Sequence, residues 1–550
     1  MMKRALVLIF LLVGIVRAEA QTRTVGAITG TVVDVSGGGM PGAVVKLRDE
    51  RTGAERETVT NDAGGFSFLD LQASSYQASV SLSGFQTAVF HSVVVESGRT
   101  TDLPVSLTVG QVTETIEVTG ATPTLQMTSN AVGTTVTNKD VQNLPLAGRN
   151  VLNFATLVPG SQVAGVDPRQ STYQGMPGAT INITVDGVNN NSTAFKSGGT
   201  SFFATVPPRL DAIEEINVTT SGLGADAGAE GAMNIKFVTK RGTNAYHGGG
   251  FWQVVNEGLN ANSYFNNALK LVKPRARRNE FGGSLGGPII RNKAFFFVNW
   301  EETRVPGIVA STRVVLTDEA QQGIFRYRGT DGVERTANLL QIAAANGFTS
   351  AIDPVVAGQL SRISSTLGNG ALSRNDLIRN NLAWNEPQKT WEHYPTGRVD
   401  YQLSKSITLN GTTNIYDRDI QGNRQFPGDG YPAQSVFQNT WVLATGSMNW
   451  TLTPSTLLEA RYGIQRNQDT YNIGEQPSQF DINGRSMRIG YPLGLDPLIR
   501  NQLEIDRHNS LQQVSVNLTH LRGTHNITAG GTFRWVSWFD ADYRGGGVPQ

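Results

Sequence analysis

Cysteine is absent from the 550 residues. Disulfide scaffolds, thiol nucleophiles and cysteine–zinc sites are thereby excluded, and an exported chain of this kind avoids disulfide chemistry altogether. Histidine is scarce: six are scattered along the chain without a close pair that would hold a metal. Charge is scarce too. Charged residues make up 17% and the net charge is +1, against a usual charged share of about 25%. With no basic excess there is no electrostatic case for nucleic acid as a partner. Beyond the first twenty residues no run of roughly 18 apolar residues occurs, so a mature chain in a membrane would not cross it as helices. What the chain does have is glycine, 61 in all, with 39% hydrophobic residues. That is a polar, glycine-rich β composition, and the length implies roughly two to four domains.

Residues 1–20 read as a secretory signal. Lys3 and Arg4 precede an apolar core, Ala5–Val16, that is too short for a stable membrane span. Ala18-Glu19-Ala20 fits the small-x-small rule, so cleavage is expected between Ala20 and Gln21. No stop-transfer pattern follows, which disfavours an anchor helix, and no cysteine follows that would make a lipoprotein. Residues 26–108 then alternate in short strands broken by turns at Ser36–Gly42 and Asn61–Gly65, the spacing of a β-sandwich. Asn61-Asp62 reads as turn chemistry rather than a calcium site.

From residue 246 to 550 the pattern is amphipathic strands. In Thr524–Trp538, Ile527, Ala529, Gly531, Phe533 and Trp535 share one face, and Asn526, Thr528, Gly530, Thr532 and Arg534 the other. Ser406–Tyr416 and Val442–Leu452 repeat this. Strands of about 10 residues, apolar outside and polar inside, are the signature of a transmembrane β-barrel. Nine strands are expected, at 246–255, 278–286, 294–303, 391–403, 406–417, 438–452, 456–467, 510–519 and 525–538. Short and long connections alternate between them, as turns on one side of a membrane and loops on the other would. Phe251, Trp252, Trp300, Trp391, Tyr401, Trp441, Trp450, Trp535 and Trp538 fall near strand ends, where interfacial girdles would sit. Single-chain bacterial barrels carry even strand numbers, so a count of nine implies an N-terminal part of a barrel in a longer natural chain.

Between sandwich and barrel, the segment Ile213–Thr243 (IEEINVTTSGLGADAGAEGAMNIKFVTKRGT) reads as strand, glycine-rich turn, strand and basic exit. Gly224, Gly228 and Gly231 lie in that turn, where glycine allows positive φ and close backbone approach. A dinucleotide loop would need a different glycine spacing and a helix to follow. A plain hairpin in a soluble β-protein is the other alternative. The segment resembles the end of the plug domain of TonB-dependent outer-membrane receptors. LPLAGRNVLNFATLVPG (Leu144–Gly160) and Asp186-Gly187-Val188 resemble earlier plug motifs. RNEFGGSLGGPIIRNKAFFFVNWEETR (Arg278–Arg304) and NANSYFN (Asn260–Asn266) are similar to the Oar-like subgroup. Gly30-Thr-Val-Val-Asp34, Pro41–Val45, Thr60–Phe66 and Tyr76…Gly84-Phe85 resemble the carboxypeptidase-regulatory-like domain, also described as carbohydrate-binding-like.

The resemblance implies a mainly β protein. It would consist of a signal peptide (1–20), a β-sandwich (26–108), a TonB-box-like linker (110–125), a small α/β plug (126–245) and a transmembrane antiparallel barrel (246–550), incomplete in this chain. The plug motif would comprise Asp186, Gly187, Ile213, Glu214, Glu215, Ile216, Gly224, Gly228 and Gly231. A short helix is expected within Asp140–Leu157. Coupling would fall to Glu114, Thr115, Ile116, Glu117, Val118 and Thr119 (ETIEVT). An extended segment of this kind adds to a partner's sheet edge through main-chain hydrogen bonds; one more strand, or a plain linker, stays open for it. The implied partners are a TonB-type energy-transducing protein of the inner membrane, outer-membrane lipid and an extracellular ligand (a glycan, peptide or metal chelate). The N-terminal domain would lie in the periplasm. No catalytic residue, metal site or cofactor is expected. A surface adhesin on the same scaffold is the alternative function, and an exported enzyme a weaker one, because no nucleophile–base set is present.

Overall fold

The computed structural model describes residues 25–110, 115–118, 132–137, 149–157, 159–162, 172–173, 175–177, 181–192, 204–221, 233–262, 264, 267, 273, 276–422, 424, 426–428, 435–473, 480–482, 485–487, 505–522 and 525–542. Strands dominate them. They form a small sandwich, a plug sheet and one large antiparallel sheet.

In the sandwich, one sheet joins Gly65–Leu71, Gly26–Asp34, Thr100–Asp102 and Val105–Leu107; the other runs Glu55–Val59, Val44–Asp49, Ser74–Ser81, Thr87–Val95 and Thr115–Val118. Alternation puts Ile28, Val32, Val45, Leu47, Phe66, Phe68, Ala78 and Val80 into one shared core. The Glu55–Val59 strand was not expected. Its sequence, ERETV, has no apolar face, because it closes the sheet at an edge and buries no side chain fully. Thr115–Val118, within the segment expected to couple, is extended. It pairs parallel with Thr87–Phe90 at the opposite edge of the same sheet.

The segment expected to be the plug contains a five-stranded sheet in the order Val132–Thr137, Ile213–Ser221, Met233–Thr239, Ile181–Val185 and Val188–Asn189. Ile213 and Ile216 lie three residues apart, which in a regular strand would put them on opposite faces. The register slips between Ile213 and Glu215, which face Thr239 and Val238. That bulge makes Glu214 the extra residue and returns Ile213, Ile216 and Val218 to one core with Ile183, Ile235 and Phe237. Of the range expected to hold a short helix, residues 140–148 lie outside the described residues and Val151–Leu157 form a 3₁₀ helix.

The large sheet contains nine sequential antiparallel strands: His247–Asn256, Arg277–Ile290, Ala294–Leu316, Arg379–Ser404, Ile407–Gln421, Ser435–Thr453, Thr456–Ile473, Ile505–Arg522 and His525–Asp542. Its polarity is inverted relative to a soluble barrel. Along the eighth strand Gln513, Ser515, Asn517 and Thr519 are buried, while Val514, Val516 and Leu518 are exposed. Six tryptophans (252, 300, 391, 450, 535 and 538) are exposed on the outside. Trp441 departs from the girdle expectation. It shares the inward parity of Leu443 and Thr445, is buried, and packs on Tyr416 at a ring separation of 5.3 Å. Phe251 also faces inward, under a plug arginine.

Strand length departs from the ten residues expected. The third strand has 23 and the fourth 26. At about 3.3 Å per residue and a tilt near 40°, 26 residues rise roughly 65 Å, against an apolar band about 25 Å tall. The surplus forms a wall on the long-loop side. Residues 317–378, expected only as a loop, carry a hairpin (Ile324–Arg328 with Glu334–Asn338) and helices at Asp318–Gln321, Leu339–Ala345 and Pro354–Ser364. Asn338 caps the middle helix, its side-chain oxygen accepting from the N–H groups of Leu340 and Gln341 at 3.1 Å. Ile363 seats this unit on Val315, Leu382, Trp384 and Phe426. Among the described residues the first and last barrel strands do not pair with each other, so the sheet is open.

Candidate functional site

Where the plug meets the second and third barrel strands, four buried charges converge. Arg149 and Arg209 come from the plug, Glu280 and Glu301 from the wall. Glu301 accepts from Arg149 Nε at 3.1 Å and from Arg209 Nε at 3.0 Å. Arg149 also reaches Asp211 at 2.5 Å, and Arg209 reaches Glu280 at 3.3 Å. The planar guanidinium suits this double duty, because it can hold two carboxylates and stack on a ring at once. Arg149 lies 3.5 Å from the Phe251 ring centroid and Arg209 4.2 Å from that of Tyr394. Tyr394 stacks on Tyr416 at 5.1 Å, which extends an aromatic seat for the plug core.

A second contact forms around the turn after Ile181–Val185. Asp186 and Gly187 have φ of 47° and 78°, left-handed values that glycine adopts freely and aspartate tolerates. The Asp186 carboxylate accepts from Thr239 N–H at 3.0 Å and from the Thr239 hydroxyl at 2.6 Å. Arg398 of the fourth barrel strand lies 3.6 Å from Asp186 and 2.8 Å from Asp400. Amides complete the contact: Gln513 Nε2 donates to Gly187 O at 3.2 Å, and Gln465 Nε2 to Asn191 O at 3.3 Å.

On the short-turn side the sandwich lies against both plug and barrel. Arg51 donates to Glu214 at 2.7 Å, and Ser97 N–H to Glu215 at 3.1 Å. Arg241, at the plug exit, pairs with Asp49 at 2.7 Å. Asn449 of the barrel donates to Asp70 at 2.6 Å, and Ser67 donates to Pro454 O in a barrel turn at 3.2 Å. Burial pushes the Glu215 carboxyl up to about 7; the Asn217 amide opposes this and the nearby Glu96 charge adds to it. Burial likewise raises Asp70 although Arg56 stands beside it. At Asp49 burial acts upward, but Arg241 and the Arg51 N–H outweigh it and hold the carboxyl below its ordinary value.

The motif residues named from sequence thus have different surroundings. Ile213 and Ile216 are core, Glu214 and Glu215 face the sandwich, and Asp186 and Gly187 make the turn beside Arg398. Thr115, Ile116, Glu117 and Val118 lie on the sandwich edge, away from these contacts. Glu114, Thr119, Gly224, Gly228, Gly231, Ala20 and Gln21 fall outside the described residues. Arg149, Arg209, Glu280 and Glu301 were not singled out from sequence. Their signal was charge retained within motifs that are otherwise apolar and glycine-rich: AGRN, PPRL, NEFGG and NWEE. Among the described residues no group of three or more acidic or histidine side chains is arranged to hold a metal ion.

The family model described as an outer membrane beta barrel domain matches residues 238–547, and that of the carboxypeptidase regulatory-like domain matches residues 27–108. The TonB-dependent transporter Oar of Myxococcus xanthus is 25% identical over 305 residues, which is 52% of this chain and 27% of that protein. The chain therefore spans about a quarter of that relative. Among solved structures, the outer membrane transporter YddB from Escherichia coli aligns with a TM-score of 0.44 at 11% identity, covering 73% of this chain and 47% of its own. A variant of the ferric enterobactin receptor PfeA from Pseudomonas aeruginosa aligns with a TM-score of 0.42 at 12% identity, covering 74% and 49%.

Proposed function

Because the chain belongs to the outer-membrane β-barrel family, we propose that it is the N-terminal part of a TonB-dependent receptor-transporter. In this reading a ligand binds on the long-loop side. A TonB-type protein engages the strand around Thr115–Val118 from the periplasm, and the plug rearranges to open a path. The observation that carries the reading is a plug sheet held against the polar barrel wall by buried, breakable charge pairs, Arg149 and Arg209 on Glu301. These pairs act beside the aromatic seat formed by Tyr394, Tyr416 and Trp441. Polar pairs are worth little net against an apolar alternative, but they fix one register and leave the seat able to hydrate when it opens. Similarity to the Myxococcus transporter supports the same direction.

In the same reading residues 1–20 direct export, the sandwich sits in the periplasm, and the exposed apolar belt faces lipid. The ligand is a glycan, a peptide or a metal chelate, and loading the purified natural protein with a panel of all three would identify it. Replacing Ile116 with proline removes a main-chain donor and fixes φ. Ligand binding should persist while uptake by cells carrying the variant stops; undiminished uptake would refute coupling through this strand.

The raised unit 317–378 favours a second reading, surface adhesion. It exposes Tyr327, Leu339, Ile342 and Phe348. Deleting residues 318–377 separates the two. An adhesin loses cell–surface attachment and an energised transporter does not.

A further inference from the structure

The parallel pairing of Thr115–Val118 with the sandwich is short and bounded. Among the described residues, Thr87, Ala88, Val89 and Phe90 face Thr115, Ile116, Glu117 and Val118. Just beyond Phe90 the strand leaves regular geometry. Ser92 has φ of 55°, its N–H donates to Glu50 at 3.1 Å, and the register with Ser74–Ser81 shifts between Tyr76 and Ala78. A bulge of this kind ends an edge and keeps other strands from adding to it. The sandwich therefore offers an accepting edge about as long as the strand that occupies it.

The anchorage of the sandwich decides what this does to a pull. Asp70 and Ser67 tie the domain to the barrel at Asn449 and Pro454. A force applied to Thr115–Val118 while the strand remains paired runs into the sandwich and from there into the wall. The plug strand Val132–Thr137 is the next described element in the chain, and force reaches it only once the four pairs have parted. Parallel pairing is slightly weaker per residue than antiparallel, so four residue pairs can yield before a folded domain does.

We propose that the sandwich edge Thr87–Phe90 is a docking site in cis for the coupling strand, and that the energising partner takes the strand by exchange against this edge. The proposal rests on the coupling role given above to Thr115–Val118. The partner chemistry is a sheet edge that accepts an extended segment through main-chain hydrogen bonds. Docking in cis lowers the partner's apparent affinity by the fraction of time the strand is free. A strand docked about nine-tenths of the time costs the partner about tenfold in affinity.

These 550 residues carry no cysteine that would compete with an engineered pair. Val89 and Glu117 are register partners, and neighbouring strands bring Cα atoms within disulfide range. Val89→Cys/Glu117→Cys is introduced into the full natural chain, and the periplasmic domain of the TonB-type protein from the same genome is the probe. Three results are expected. The disulfide forms in the free protein, saturating probe suppresses it, and the oxidised form binds probe at least tenfold more weakly than the reduced form. Failure of the disulfide to form refutes docking. Disulfide formation undiminished by bound probe, with equal affinity of both redox forms, refutes exchange and assigns the partner to the strand's outer edge. A chain lacking residues 115–118 serves as control. Probe binding to it at full strength refutes the coupling role itself, and the proposal with it.

Discussion

Replacing Glu301 should loosen the plug. Its carboxylate is fully buried and takes charged hydrogen bonds from two arginines that are themselves buried. Removing one partner of a buried pair costs about 3–5 kcal/mol, mostly because the opposite charge is stranded. Here each arginine keeps a second carboxylate, Asp211 for Arg149 and Glu280 for Arg209. That places Glu301→Ala at the lower end, about 3 kcal/mol, equivalent to roughly a hundredfold rise in the open population. Glu301→Gln keeps shape and one acceptor and should fall in between. The assay is amide hydrogen exchange at Ile216, Val218 and Ile235 of the plug sheet, on the natural full-length protein in detergent. Arg335→Ala, which breaks an exposed pair with Asp331, is the control and should leave these amides unchanged. Plug exchange accelerated less than about threefold in Glu301→Ala would show that apolar packing, not the charge cluster, seats the plug.

Glu215 should make the sandwich–plug contact pH-dependent. Its carboxyl titrates near 7 in the fold against an ordinary value of 4.5. Below 4.5 both states are protonated. Between 4.5 and 7 only the docked state keeps the proton, so the contact weakens as pH rises through that window, by at most about 3 kcal/mol. Glu215→Gln should flatten the dependence of sandwich release on pH, measured by limited proteolysis between pH 5 and 8. Gly242 leaves no room for a side chain at the plug exit. A Cβ there would collide with the Phe296 carbonyl and come 2.6 Å from Gly287 O, so Gly242→Ala should cost about 1–3 kcal/mol and lower the thermal midpoint. N-terminal sequencing of membrane-extracted protein should begin at Gln21; a start at Met1 would refute cleavage of the leader.

Periodicity alone determined the barrel strands. Side chains alternate with period 2 in any strand, so an apolar row against a polar row is visible in one dimension. Val514, Val516 and Leu518 face out while Ser515 and Thr519 are buried, the arrangement that lipid on the outside would select. The order of short and long connections was legible for the same reason, since both are distances along the chain. Strand length was less legible, because the surplus wall on the long-loop side has no fixed apolar row to mark where it stops.

The seat of the plug was not legible. Arg149 and Glu301 are 152 residues apart, and nothing local distinguishes a buried arginine from an exposed one. Only folding makes them partners, by removing the water that each would otherwise prefer. The same holds for Trp441, whose place near a strand end resembles that of a girdle tryptophan; the plug core inside the sheet, not its neighbours in sequence, makes it a buried residue. ETIEVT carries extended propensity and nothing more. A main-chain edge accepts many sequences, so which edge Thr115–Val118 joins was decided by the position of Thr87–Phe90 in space.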